Sequence, residues 1–307
     1  MSPDPSRPFF SVVIPVYNGE NFLSAAIDSV LAQPFRDWEL VVVDDMSQDK
    51  TPTILARYAA AHPNIRPVRN EENLGIAKSL NRGIRESRGE WIVRLDCDDL
   101  FARDYLETLR GFIETLPHGY CFVSCWVTVI SGKGNTVLDI RLPPASTITR
   151  MMQYENFLYH SATSFPRRVW EQVGGYPDED RKLSEDTEMW KRFIRFGVSL
   201  IMLPRFLVYY RIHDANYTSF KDTGCLEHGG SKGLLMRQYH TWRLSLFLKQ
   251  GELRAARDEI QRLRKILGKF SLKTLYYHLL TYLPKPIVHN FMWEIRPRLR
   301  RLAKGFS

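Results

Sequence analysis

Glu90-Trp91-Ile92-Val93-Arg94-Leu95-Asp96-Cys97-Asp98-Asp99 is an apolar run that ends abruptly in carboxylates. Residues 91–95 read as a short buried strand, with the acidic group at its carboxyl end. Alternate residues of extended chain point the same way. Asp96 and Asp98 therefore face one site together, and Asp99 faces away. Two carboxylates held side by side repel unless a cation or a proton lies between them. Carboxylates with open coordination positions are what Mg²⁺ or Mn²⁺ uses to hold a substrate diphosphate. The same letters also suit the start of a helix, since Asp is a good N-cap. The rest of the chain decides between the two.

Upstream of this stretch, strands and helices alternate. Apolar, β-branched runs at Phe10–Val16, Leu40–Val43 and Ile65–Val68 predict strands. Helical spacing predicts helices over Glu20–Ala32, Thr51–Ala61, with Pro52 in its first turn, and Ile76–Ser87. Strands apolar on both faces, alternating with helices, imply a mostly parallel central sheet flanked by helices. Ligands of such sheets bind at the carboxyl ends of the strands. Pro15-Val16-Tyr17-Asn18, Asp44-Asp45 and Asp96 to Asp99 all fall there. Downstream, strand-like runs at 121–130 and 157–165, a helix over 185–196 and an apolar strand over Val198–Tyr210 are expected.

Composition narrows the class. The chain has 307 residues, 44% hydrophobic and 25% charged, as in a globular protein of one or two domains. The longest nearly apolar run, Tyr120 to Ile130, is far short of the ~20 residues of a membrane-spanning helix. No secretory signal opens the chain, and residues 1–8 read as a disordered lead-in. Cys97, Cys121, Cys125 and Cys225 form neither a disulfide framework nor a paired zinc motif, so reduced, cytosolic thiols are expected. No G-x-G-x-x-G follows the first strand, and no P-loop motif occurs. A dinucleotide-dependent dehydrogenase and a P-loop ATPase are thereby disfavoured.

Several stretches in order give a family resemblance. Ser11-Val12-Val13-Ile14-Pro15-Val16-Tyr17-Asn18 resembles the first strand and nucleotide-contacting loop of the inverting family 2 glycosyltransferases with a GT-A fold, of the type that builds bacterial surface polysaccharides. Asp44-Asp45-Met46-Ser47-Gln48-Asp49 is similar to that family's acidic turn. Asn73-Leu74-Gly75 with Asn81-Arg82-Gly83 matches its next helix, and Asp96-Cys97-Asp98-Asp99 its metal motif. His160 to Arg168, followed by Gly174-Gly175-Tyr176, resembles the acceptor-side segment. Glu185-Asp186, with Trp190 one turn on, resembles the catalytic E-D motif. Tyr210-Arg211-Ile212-His213 resembles the closing segment. The resemblance spans about residues 9–220.

It implies a metal-dependent, inverting hexosyltransferase that moves a sugar from a nucleotide-diphosphate donor, such as a UDP-sugar, to a hydroxyl of a glycan or polyprenol-linked glycan. Asp186 is then the base that takes the acceptor hydroxyl's proton, and Glu185 and Trp190 are the groups placed to raise its pKa. Pro15, Val16, Tyr17, Asp45, Lys78, Asp96 and Arg211 are the nucleotide-side residues. Asp45 accepts from the base, Asp96 meets ribose or metal, and Arg211 grips phosphate. Asp98 and His213 ligate Mn²⁺ or Mg²⁺. His160, Glu185 and Trp190 lie on the acceptor side, His160 as an acceptor contact or as a buried hydrogen-bonding partner. Lys78 and Arg82 share a helix face, as diphosphate contacts or as solvated charge. Ser47 and Asp49 are expected to cap the helix that follows them, and Asp99 a helix beginning near Ala102. Two rivals are a nucleotidyltransferase, whose Gly-rich start this chain lacks, and a binding protein on a degenerate transferase fold.

The charge is uneven. Residues 225–307 hold 17 Lys and Arg against 5 Asp and Glu, whereas 1–224 hold 26 against 29. A GT-A domain over 9–224 and a basic helical extension over 225–307 are expected. Within the extension, 231–268 reads as a helical hairpin. Residues 270–307 place Phe291, Met292 and Ile295 opposite Arg296, Arg298, Arg300 and Arg301, a pattern suited to an anionic membrane interface. The protein would then lie on the inner face of the cytoplasmic membrane. Docking on its own body, a homo-oligomer contact and RNA are the alternatives, with nucleic acid not expected.

Overall fold

The computed structural model describes residues 7–116, 120–152, 156–177 and 184–213, together with Ile260. The chain divides at 213/214 into two units, and the elements below belong to the first. The extension expected over 225–307 and residues 214–224 lie outside the described residues, apart from Ile260, which is helical and buried.

Nine strands form one sheet in the described residues. The first half follows the sequence closely: β1 (Phe10–Val16), α1 (Leu23–Leu31), β2 (Trp38–Asp44), α2 (Thr51–Ala61), β3 (Ile65–Arg69), α3 (Ile76–Glu86) and β4 (Trp91–Arg94). Then come β5 (Leu100–Phe101), α4 (Tyr105–Glu114), β6 (Cys121–Ser131), β7 (Thr136–Ile140) and α5 (Ala145–Met151). A 3-10 turn at His160–Ala162 leads into β8 (Thr163–Pro166), α6 (Arg167–Val173), α7 (Glu185–Arg195) and β9 (Ser199–Ile212). The run 157–165, expected as a strand, is a strand only in its last third. The strand order is β3-β2-β1-β4-β8-β6-β9-β5, with β7 on β6.

The pairing explains why distant residues meet. β1 is parallel to β2 and to β4, and β2 to β3. β8 runs antiparallel to both β4 and β6, and β6 is parallel to β9. β9 therefore points the same way as β4, and its carboxyl end joins Asp96 to Asp99 at one sheet edge. Antiparallel β8 brings its amino end, with the His160–Ala162 turn before it, to that same edge. The sheet is parallel in its first half, as expected, and mixed beyond β4.

Every residue of β1, β2 and β4 is buried, as strands covered on both faces require. α3 lies close on this layer. A Cβ at Gly83 would come within 2.7 Å of Val13 Cγ1 and 2.8 Å of Val43 Cγ2, so only glycine fits. The second half closes around Trp190, Phe122, Phe165 and Phe193, with ring centroids 5.2–6.1 Å apart. Cys121 and Cys125 are buried free thiols on β6, and burial pushes the Cys125 thiol up to about 12.

Candidate active site

The first part of the site is a cradle at the ends of β1 and β2. Asn18 and Met46, just past these ends, have φ of 53° and 66°, a region side chains rarely adopt. A dense hydrogen-bond web holds them. Asn18 N–H donates to Ser47 Oγ, and Gln48 N–H to Asn18 Oδ1, both at 2.9 Å. Glu20 N–H and Thr51 N–H donate to the two oxygens of Asp49. Ser47 thus braces the β1 loop instead of capping α2, because that loop supplies the nearer orphan N–H. Asp49 does both, bonding the first residue of α2 and the β1 loop. Tyr17 stands 51% exposed at the mouth, while Val16 is buried beneath it. Pro15 is buried in β1.

Asp44 and Asp45 are both buried and engaged. Asp44 accepts from Ser47 N–H and pairs with Arg69. Asp45 Oδ1 accepts from Asn70 Nδ2 and Leu74 N–H, and Oδ2 from Gly75 N–H at 2.8 Å. Asp45 therefore ties the 70–75 turn, and with it the start of α3, to β2. Any contact with a base uses lone pairs left over from this task. Arg82 is turned to the β3 end, donating to Arg69 O and Asn70 Oδ1, and leaves Lys78 as the exposed member of the pair.

The second part follows β4. Asp98 Oδ2 lies 3.1 Å from His213 Nε2, with side chains 22% and 14% exposed. His213 stacks on Phe22 at 4.4 Å, which fixes its ring. A carboxylate oxygen and an imidazole nitrogen at this spacing, both reachable from solvent, are a fitting donor pair for Mn²⁺ or Mg²⁺, with the remaining positions left to diphosphate oxygens and water. Burial and the neighbouring Asp96 charge push the Asp98 carboxyl up, which is the state a cation would relieve.

Asp99 has a different role from the one expected. No helix begins at 102, because β5 intervenes and pairs with β9, and α4 starts at Tyr105. The Asp99 carboxylate, 1% exposed, accepts from Ser161 Oγ at 2.6 Å and from Arg211 N–H at 2.7 Å. It knots β4, the 160–162 turn and β9 together. Burial and the charges of Asp98 and Asp96 push it well up. Arg211 is 5% exposed, donating from Nε to Asp98 O and from Nη1 to Ser131 O and Gly132 O, with its guanidinium over Phe22. The guanidinium expected to grip phosphate here bonds the backbone of the 96–99 loop.

The third part gathers the residues expected on the acceptor side. Asp186 lies in the first turn of α7, accepting from Asn156 Nδ2 at 2.9 Å and from Thr187 N–H. Glu185 Oε1 lies 3.6 Å from His160 Nδ1. Burial, then the adjacent Asp186 charge, raises the Glu185 carboxyl to about 7, so the raised proton affinity resides on Glu185. His160 is buried, within 2.8 Å of Tyr176 Oη and 3.0 Å of an Arg94 nitrogen. Burial and the Arg94 charge hold it down at about 4, a neutral ring. Of the two roles open to His160, it takes that of a buried partner. Trp190, expected on the acceptor side, is fully buried and supports His160 edge-on at 5.7 Å. It lies in the core beneath His160, with no surface of its own. Arg167 likewise turns away, bonding Gly89 O and Ile84 O at the opposite sheet edge.

Sequence reasoning missed Arg94, Ser161, Asn156 and Tyr176. Ser161 accepts from Asp96 N–H and donates to the Asp96 and Asp99 carboxylates. The Asn81 amide pairs with both backbone groups of Tyr176 at 2.8 Å, pinning the acceptor-side turn to α3. A buried Arg two residues before an acidic loop was the one readable signal.

The profile of the family described as glycosyl transferase family 2 matches residues 11–173. An uncharacterized glycosyltransferase of Rickettsia typhi is 31% identical over 217 residues, covering 69% of this chain and 66% of that protein. TuaG of Bacillus subtilis, named a teichuronic acid biosynthesis glycosyltransferase, is 27% identical over 215 residues, covering 70% of this chain and 83% of its own. Among solved structures, S. aureus TarS 1–349 in complex with UDP-GlcNAc superposes with a TM-score of 0.56 at 20% identity, over 89% of this chain and 79% of that one. The Pyrobaculum calidifontis mannosyltransferase PcManGT in complex with GDP-Man and Mn²⁺ gives 0.53 at 20% identity, over 95% and 75%. These likenesses identify the GT-A fold.

Proposed function

We propose, from the premise that this chain belongs to glycosyl transferase family 2, that it is a metal-dependent inverting transferase. It moves a sugar, UDP-linked in our reading, to a hydroxyl of a glycan or lipid-linked glycan in surface polysaccharide synthesis. The observation that carries this is the placement, around one sheet edge, of Asp98 with His213 next to Asp96, and of Asp186 at the α7 terminus across the 160–162 turn. Asp98 and His213 would hold the cation. When bound, it supplies positive charge to the departing diphosphate. Asp96, fixed by Arg94 and Ser161, faces the ribose. Asp186 takes the proton of the acceptor hydroxyl. That oxygen bonds to the anomeric carbon as the bond to diphosphate breaks, and a single in-line displacement inverts the centre.

UDP-GlcNAc in the TarS structure and GDP-Man with Mn²⁺ in PcManGT support a nucleotide-sugar donor as the reading. The name of TuaG supports a polysaccharide acceptor. The chain spans 66% of the length of the Rickettsia relative, so donor, acceptor and partners belong to this proposal. So do the division into 9–224 and 225–307 and the membrane role of 270–307. Among the described residues no helix is long and apolar enough to cross a membrane. A panel of UDP-, GDP- and dTDP-sugars, scored for nucleoside diphosphate release with Mn²⁺, with Mg²⁺ and with EDTA, tests the reading. Metal-dependent release from one donor is expected, and pyrophosphate release from a nucleoside triphosphate and a sugar phosphate would favour the nucleotidyltransferase. Flotation with anionic vesicles, with and without 270–307, tests the extension; equal flotation would remove the membrane role.

A further inference from the structure

Arg94 ends β4 and is fully buried. β1 and β2 show what this layer needs for packing: Val12, Val13, Ile14, Val41, Val42 and Val43, all apolar and buried. A guanidinium among them is costly to desolvate, and an apolar side chain of similar volume often serves stability as well or better. Its contacts indicate another purpose. One guanidinium nitrogen donates to Asp96 Oδ1 at 2.5 Å and lies 3.0 Å from His160 Nδ1. Nε lies 3.2 Å from His160 Nε2, and Nη1 donates to Val13 O and Leu95 O. His160 in turn meets Tyr176 Oη and faces Glu185. Two carbonyls fix the planar fork, and the remaining donors reach both halves of the site. The reach spans 66 residues of sequence, from β4 to the turn before β8.

We propose that Arg94 is a positioning residue that sets the donor half of the site against the acceptor half, its in-plane donors holding Asp96 for the nucleotide and His160, which faces Glu185. This rests on the transferase reading of the site. Lys is a poor substitute, because a single ammonium on a flexible stem cannot present a planar fork to both partners.

The test uses the full chain, with Arg94→Met and Arg94→Lys. UDP and GDP binding with Mn²⁺ is measured by calorimetry, and kcat and KM are measured with the donor found active. Losing the charged bond to Asp96 should weaken nucleotide binding about 10-fold in R94M. Misplacing the acceptor half should lower kcat about 100-fold. R94K should recover most of the binding but little of kcat, a split that loss of packing alone would not give. Asp96→Asn should weaken binding about 10-fold alone and add almost nothing on top of R94M. A folded R94M within twofold of wild type in binding and kcat overturns the inference, as does R94K within twofold in both should R94M not fold. Multiplying effects of R94M and D96N overturn it too. Normal nucleotide release by wild type and R94M alike would sink this inference alone. A wild type that binds and cleaves no sugar nucleotide would sink the transferase reading, and this inference with it.

Discussion

At the donor end, Asp44, Asp45, Asp49 and Asp99 each accept backbone N–H groups, and every one is anchored to a second loop or strand. At the acceptor end, Glu185 faces a neutral imidazole ring at 3.6 Å, and the Asp186 carboxylate rests on Asn156 and its own helix terminus. The first region is a rigid frame whose acidic groups are mostly structural. The second keeps one carboxyl near neutrality, where protonation can change in use. In the proposed reaction the difference separates two tasks. Binding a diphosphate through a cation gains from fixed geometry, and moving a proton gains from a tunable group.

The strongest way to break the comparison is at the proposed cation pair, Asp98 and His213. Asp98→Ala should cut metal-dependent turnover by about 10³-fold, since it removes the carboxylate ligand and leaves His213 alone. Titrating Mn²⁺ into both proteins checks this, and an unchanged metal requirement would move the cation elsewhere. Next in size is Trp190→Ala. It opens a cavity under His160 and should cost about 3–5 kcal/mol of stability in denaturant unfolding. A neutral result would mean Trp190 is not the support its burial indicates.

Glu185→Gln sharpens the acceptor half. A carboxyl raised from 4.5 to about 7 binds its proton more tightly in the folded state. Its favourable contribution is full below pH 4.5 and is lost as pH rises through 7. At pH 8 the charged Glu185 therefore destabilises, and E185Q should be more stable by up to about 3 kcal/mol. The same substitution should flatten any limb of the kcat/KM profile near pH 7 that the Glu185 carboxyl carries. A limb at pH 7 that survives in E185Q would assign it to another group. Smallest is Ser161→Ala, which removes the hydroxyl shared by Asp96 and Asp99 and should cost about 1–3 kcal/mol in stability.

The two regions were also unequally legible. β1, α2 and β4 could be read from apolar runs and a Pro in the first turn because local patterning decides them. The placement of Asp45 and Asp98 past the carboxyl ends of β2 and β4 followed from a parallel sheet, and the meeting of Asp98 with His213 from an ordered resemblance. Past β4, the apolar and helical runs still gave β6, α7 and β9, but local signals missed β5 and β7 and misread 157–165. The 157–165 run reads as strand from Phe157, Leu158 and Phe165, yet residues 160–162 turn, because His160 and Ser161 are drawn to Arg94 and Asp96 more than 60 residues earlier. Asp99 carried the right chemistry for capping, but its partners, like the backbone bonds of the Arg211 guanidinium, were fixed by β5 and β9 pairing, which no short window of sequence encodes.

The assignment of Asp186 as base is tested most directly by Asp186→Asn in single-turnover transfer with the active donor, alongside calorimetry of the nucleoside diphosphate with Mn²⁺. Asn keeps the shape and the hydrogen bond to Thr187 but cannot take the proton. Transfer should fall by about 10²–10⁴-fold while nucleotide binding stays within about twofold. Transfer at the wild-type rate by D186N would contradict the assignment outright.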